Sequence, residues 1–287
     1  MAEQMPKQGL KQAPEQMLRG RYYAGDQNQF APLDEKIARY GCGLIGLTDL
    51  LLYLMEQDWK QPPLRRFPEQ GQENKVRTTD RDQADAGRPD SGQAAKPGQT
   101  DAGRPDRAAA DRGMVVRHGG KAYESFVKSL DRRLAHVRSR VGLNGISMAR
   151  AFNRRARQRG WSLRAAWGVP GEQILPRIRE MLAADLPVIL SIGPFFGKRG
   201  DPPGILLYPE KEPVPGLPGV PGEPAVRAAD HYVTVVGLTT QGGEEWFRIV
   251  SWGTCYLARV RDYMEGQRGR LPLLGRLFSN ILYLREK

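Results

Sequence analysis

A run of twelve residues, 44–55, limits the possible folds more than any other part of the chain. Leu44, Ile45, Leu47, Leu50, Leu51, Leu52, Leu54 and Met55 take up nearly every direction around a helix axis. A helix that is apolar all round has no face to give to water, so it must lie at the centre of a domain. The stretch is too short to cross a bilayer. It carries Asp49, an acid that must pair with a basic residue or cap a buried network, and to which no catalytic role is assigned. Gly41 and Gly43 flank Cys42, which puts that thiol at or just before the helix N-terminus.

A chain of 287 residues can supply the layers that such a helix needs. Apolar spacing predicts further helices over 122–141, 146–159 and 171–185, and a short helical piece at 261–265. Alternating or β-branched runs predict strands at 161–167, 187–192, 231–238, 246–251, 255–260 and 279–284. The order is a helical half followed by an antiparallel sheet half, an α+β pattern. Residues 1–21 read as a polar tail with no apolar core of a signal peptide, so a cytoplasmic protein is expected. Residues 22–287 read as one domain with two interruptions. The first, 62–113, holds ten basic and nine acidic residues, almost no large apolar ones, and Asp-Ala-Gly-Arg-Pro-Asp twice. Such a composition cannot offset its ordering entropy and reads as a disordered insertion. The second, 194–229, has nine prolines and reads as a stiff, extended surface loop.

Net charge is +12, and the window 114–168 alone holds 13 Lys and Arg against Glu124 and Asp131. That stripe suits an anionic partner. No nucleic-acid motif accompanies it, and its arginines lack the aromatic interleaving of a single-strand platform, which disfavours nucleic acid. Two cysteines and three histidines leave no metal cluster, and no phosphate loop or dinucleotide fingerprint is present, so no cofactor is expected.

The candidate chemistry is a thiol and an imidazole. Cys42 has the positive end of a helix, and His231 opens a strand directly after a long loop. They are 189 residues apart, or 137 once the 52-residue insertion is set aside. His118 and His136 are poorer partners by position, and Cys255 reads as a packed strand residue.

Three stretches in order, Tyr-Gly-Cys-Gly-Leu-Ile-Gly-Leu-Thr-Asp-Leu-Leu-Leu-Tyr-Leu at 40–54, Asp-His-Tyr-Val-Thr-Val-Val-Gly-Leu at 230–238 and Arg-Ile-Val-Ser-Trp-Gly-Thr at 248–254, resemble the papain-like cysteine peptidase superfamily. The Asn-Gln pair at 28–29 adds to a likeness with its bacterial branch related to bacteriocin-leader-processing peptidases. The resemblance implies a papain-like fold and a cysteine hydrolase, most simply a thiol peptidase acting on a peptide or protein through an acyl-thioester. Carried over, Cys42 is the nucleophile and His231 its base and then acid. The Cys42 N–H and an upstream glutamine form the oxyanion hole. Gln29 is nominated for that glutamine, with Gln27 and Asn28 as alternatives. Trp252 shields the imidazole. Val250 stands where the family has Asn or Asp to orient the histidine, so Ser251 is the candidate orienter. That departure also permits an inactive relative that binds peptides or proteins through the same cleft.

Overall fold

The computed structural model describes residues 15–57, 113–139, 142–194, 196–197, 201–211, 219–267 and 278–286, all of one compact unit. The insertion 62–113 lies outside the described residues except for Gly113, so the expectation for it has no counterpart here. Twelve strands are described. The first six are β1 (Gln16–Met17), β2 (Tyr22–Gly25), β3 (Val115–His118), β4 (Leu163–Trp167), β5 (Val188–Ile192) and β6 (Ile205–Lys211). The others are β7 (Val220–Pro221), β8 (Val226–Ala228), β9 (His231–Gln241), β10 (Glu244–Ser251), β11 (Thr254–Arg259) and β12 (Ile281–Glu286). The helices are α1 (Glu35–Tyr40), α2 (Cys42–Glu56), α3 (Lys121–Leu130), α4 (Gly145–Arg159), α5 (Ile174–Ala183) and α6 (Val260–Gly266).

The main sheet runs β4–β12–β5–β9–β10–β11–β6–β7, with β1 added on β9 and β8 on β6. Its pairings are antiparallel, while β2 and β3 form a separate parallel pair. The coarse α+β expectation therefore holds. At the centre is α2, whose Leu44, Leu47, Leu50, Leu51, Tyr53 and Leu54 are all buried. Each buried leucine contributes roughly 1.5–3 kcal/mol of burial. Gly43 lets the helix sit close. A Cβ there would approach Met148 to 3.1 Å and the Tyr232 ring to 3.2 Å. At the far end of α2, the Tyr53 hydroxyl donates to Asp185 Oδ1 at 2.7 Å, which also accepts from the Arg19 N–H at 2.7 Å.

Several expectations change. The polar tail is structured from residue 15 onward: β1 pairs with β9 through Gln16–Leu238 and Met17–Gly237, and Leu18 is fully buried. The helix expected over 122–141 stops sooner. A wider turn at Asp131–Ala135 follows α3, and His136 turns left-handed at φ 55°. There the Asp131 carboxylate captures the Val137 N–H at 2.6 Å, which gives the backbone an alternative to the next helical turn. The proline-rich stretch 194–229 is not only a loop. Its described part contains β6, β7 and β8, with Pro209 opposite Tyr256 and Pro221 opposite Glu210. Pro209 falls between the stretches of β6 that pair with β8 (205–207) and with β7 (210–211), and Pro221 lies on β7, the last strand of the sheet, so both prolines sit where the ladder is interrupted or ends.

Strand β6 is fixed by a buried ion pair. Arg248 on β10 donates Nε to Glu210 Oε1 at 2.7 Å and an Nη to Oε2 at 2.8 Å, and it also donates to the Gly113 carbonyl. Their side chains are 4% and 1% exposed. Burial alone would raise the Glu210 carboxyl, but the hydrogen bonds and charge of Arg248 outweigh it and hold the pKa below the ordinary value. Arg248→Ala leaves that carboxylate buried and unpaired, and should lower the unfolding free energy by about 3–5 kcal/mol in urea melts. Arg248→Met with Glu210→Leu should recover most of the loss. Equal losses in the single and double variants would contradict this account.

Candidate active site

The N-terminal end of α2, the loop after β2, the start of β9 and the β10–β11 turn close around a cavity of about 20 Å³. That is room for one water or one oxygen-sized group. The helix contributes Cys42, Ile45, Gly46 and Asp49, spaced i, i+3, i+4 and i+7 along one face. Cys42 is the first helical residue, after Gly41, so its N–H has no partner within the helix and points along the positive end of the dipole.

His231 opens β9 directly after Asp230, whose φ of 49° turns the chain left-handed at that point. Its ring is buried, and Nε2 lies 2.6 Å from Ser251 Oγ. Ser251 ends β10 and pairs with Thr254 across a two-residue turn, Trp252–Gly253, in which both φ are positive, 47° and 69°. This is the hairpin geometry that matches strand twist, and the second position is a glycine as that turn prefers. A tryptophan at the first position costs about 1–3 kcal/mol of backbone strain. The surroundings hold it there: the indole stacks on His231 with centroids 4.2 Å apart and planes 13° from parallel, and Tyr256 meets it edge-on. The expected shield over the imidazole is therefore in place.

The loop after β2 completes the pocket. Gly25 N–H donates to Asp49 Oδ2 at 2.9 Å, and the Tyr123 hydroxyl donates to Asp49 Oδ1 at 2.7 Å. Gly25 C=O accepts from the Gly253 N–H at 3.0 Å, so one residue ties the helix to the turn that carries Trp252. Only glycine fits, since a Cβ would lie 1.8 Å from the Tyr123 hydroxyl. A 3₁₀ turn, Gln27–Phe30, follows, capped by Asp26 accepting from the Asn28 N–H. It directs Gln27 into the pocket wall. The Gln27 Nε2 donates to the Ala38 carbonyl at 3.1 Å, and its Oε1 is buried without a hydrogen-bond partner. Gln29, the first nominee, is not in that wall. It faces Gly119, where a Cβ would stand 2.9 Å from its Oε1. Asn28 is exposed.

The structure thus brings Cys42, His231 and Ser251 to one pocket, and of the three upstream candidates Gln27 is the one that lines it. Asp49 and Gly25 were not anticipated as parts of the site. Asp49 was the one visible signal, an acid in an apolar helix, but its partners lie 24 and 74 positions away. Cys255 lies on β11, opposite Val250, with its thiol against Glu210 and Arg248. His118 packs against Tyr23 and Tyr123, and His136 is in the turn after α3. Among the described residues no group of three or more His, Cys, Asp or Glu could hold a metal ion.

Burial sets the electrostatics. It pushes the Cys42 thiol up, against backbone hydrogen bonds from Tyr232 and Gly43 that lower it, and Asp230 raises it further. It pushes His231 down to about 4. It pushes Asp49 up to about 7, against the Gly25 and Tyr123 hydrogen bonds. At neutral pH the thiol keeps its proton and the imidazole is uncharged. No family model matches the chain, and no curated protein is significantly similar to it.

The raised Asp49 pKa makes a stabilising contribution that is complete below about 4 and lost as pH rises through about 7. The difference in unfolding free energy, Asp49→Asn minus wild type, should therefore climb by about 3 kcal/mol between pH 4 and pH 7. Urea melts across that range check it, and a difference flat in pH would contradict it. Trp252→Gly suits the left-handed backbone while removing the stacked ring. Water then reaches the imidazole, and the His231 pKa should move from about 4 toward its ordinary 6.5 in an NMR titration.

Proposed function

We propose that the chain is a papain-like cysteine hydrolase, most simply a peptidase, in which Cys42 attacks and His231 moves the proton. The observation that carries this reading is the shared pocket: a helix-N-terminal cysteine, an imidazole engaged by Ser251, and a stacked indole. With Nε2–H donating to Ser251 Oγ, Nδ1 carries the lone pair that a base needs. Both pKa shifts favour the neutral pair, so His231 takes the thiol proton as sulfur attacks the acyl carbon, not beforehand. The negative charge that develops on the carbonyl oxygen meets the Cys42 N–H, and this reading assigns the second donor to the Gln27 Nε2 hydrogen that the Ala38 carbonyl does not take. The cavity of about 20 Å³ suits that oxygen, and the rest of the substrate lies outside it. Protonated His231 then gives its proton to the leaving group. Water, deprotonated by the same imidazole, releases the acyl group from sulfur.

A second reading, an inactive relative that binds peptides, draws support from the same two shifts, because neither favours a reactive thiolate. An activated acyl ester separates the two. For a hydrolase, mass spectrometry finds the acyl group on Cys42 and not on Cys255. His231→Ala slows acylation by about 10²–10⁴-fold. The wild-type rate stays level down to about pH 5 and falls as His231 protonates near 4. Acylation absent, or unchanged in His231→Ala, would overturn the hydrolase in favour of the binding protein.

A further inference from the structure

A second, larger cleft of about 520 Å³ lies between α4 and β4, lined by Arg150, Asn153, Arg154, Arg157, Leu163 and Arg164. Helix α4 has no acidic residue and carries five arginines. Its inner side is the buried set Met148, Ala151, Phe152 and Ala156. Arg150, Arg154 and Arg157, at i, i+4 and i+7, form a row about 10 Å long beside the cleft. Arg164 comes from the strand on the other side. Among the described residues no carboxylate pairs with any of these four guanidinium groups.

The two walls are held at a fixed spacing without any ligand. Asn153 Nδ2 donates to the Ala165 carbonyl at 2.9 Å, and Asn153 Oδ1 accepts from the Ala165 N–H at 2.8 Å. That clamp also uses up the only neutral polar side chain in the lining. What remains toward the cleft is Leu163 and four guanidinium groups, which donate and cannot accept; Arg157 spends its Nε on the Asn153 carbonyl at 3.3 Å, which leaves its Nη donors. Such a lining selects anions by charge and by paired N–H···O geometry. The repulsion within the arginine row weakens the empty helix by a few tenths of a kcal/mol per neighbouring pair, and a bound anion removes it. No aromatic side chain lines the cleft, so it lacks the stacking surface of a nucleic-acid strand site. Its volume far exceeds a single oxyanion.

We propose that this cleft binds a compact multivalent oxyanion of the linked-phosphate class. The site is independent of the thiol pocket and of any activity there. Inorganic triphosphate titrated into the full chain by calorimetry, at low and at moderate salt, tests it. Saturable one-site binding is expected, weakening steeply with salt, with a melting temperature that rises with triphosphate concentration. Arg150→Gln with Arg154→Gln and Arg164→Gln, all at exposed positions, should weaken binding by at least about tenfold. Arg132→Gln with Arg133→Gln, exposed in the same basic segment but outside the cleft, should leave it unchanged. No saturable binding, equal losses in both sets of variants, or tighter binding of a single-stranded oligonucleotide than of triphosphate would each overturn the proposal.

Discussion

The close seating of α2 on the sheet governs everything at the thiol pocket. Gly43 gives that helix a surface without side-chain bulk, and the Tyr232 ring fills the space. The helix N-terminus therefore lies beside the first residues of β9, and its thiol receives backbone hydrogen bonds from Tyr232. His231 is the preceding residue, and Ser251 is set against it by the β9–β10 ladder, in which Thr234 pairs with Val250. Moving the helix outward by the width of one methyl group would separate the thiol from the imidazole strand. The packing that stabilises the fold and the geometry that aligns the site are the same contact.

Much of this was legible along the chain, for a physical reason. A helix apolar on all faces has one place to go, and β-branched alternation at 231–238 has one structure to adopt. Cys42, His231, Ser251 and Trp252 sit at the ends of such elements, so their placement followed. What stayed hidden depends on partners remote in sequence. Asp49 is an oddity until Gly25 and Tyr123 arrive from elsewhere. Gln27 and Gln29 look equivalent as letters, and only the Asp26-capped 3₁₀ turn sends one to the pocket and the other toward Gly119. The strands at 205–211, 220–221 and 226–228 were masked by proline composition, which describes local stiffness and not whether a sheet end is available for pairing. The two-residue β1 carries no periodic signal of any kind.

Two of the buried acids, Glu210 and Asp49, show how the same side-chain chemistry takes different states. Glu210 meets a guanidinium in bidentate geometry and stays ionised, at the service of sheet architecture. Asp49 meets only neutral donors, a backbone N–H and a phenol, and its carboxyl is driven toward neutrality. With His231 uncharged nearby, the thiol pocket is a weakly polarised space in which proton position, not fixed charge, distinguishes one state from another.

Strand β4 ends the main sheet, and a terminal strand offers its open backbone to any other chain that can pair with it. Here the Asn153 amide has taken both outward groups of Ala165 at the middle of that strand, imitating the neighbour that is absent. Arg164 lies across from Arg285 on β12, so an incoming copy would bring like charge to like charge along the same border. A single asparagine on a helix thus makes the rim of the sheet a poor seed for fibrous growth, and lets a strongly cationic protein keep an exposed border without recruiting its own kind.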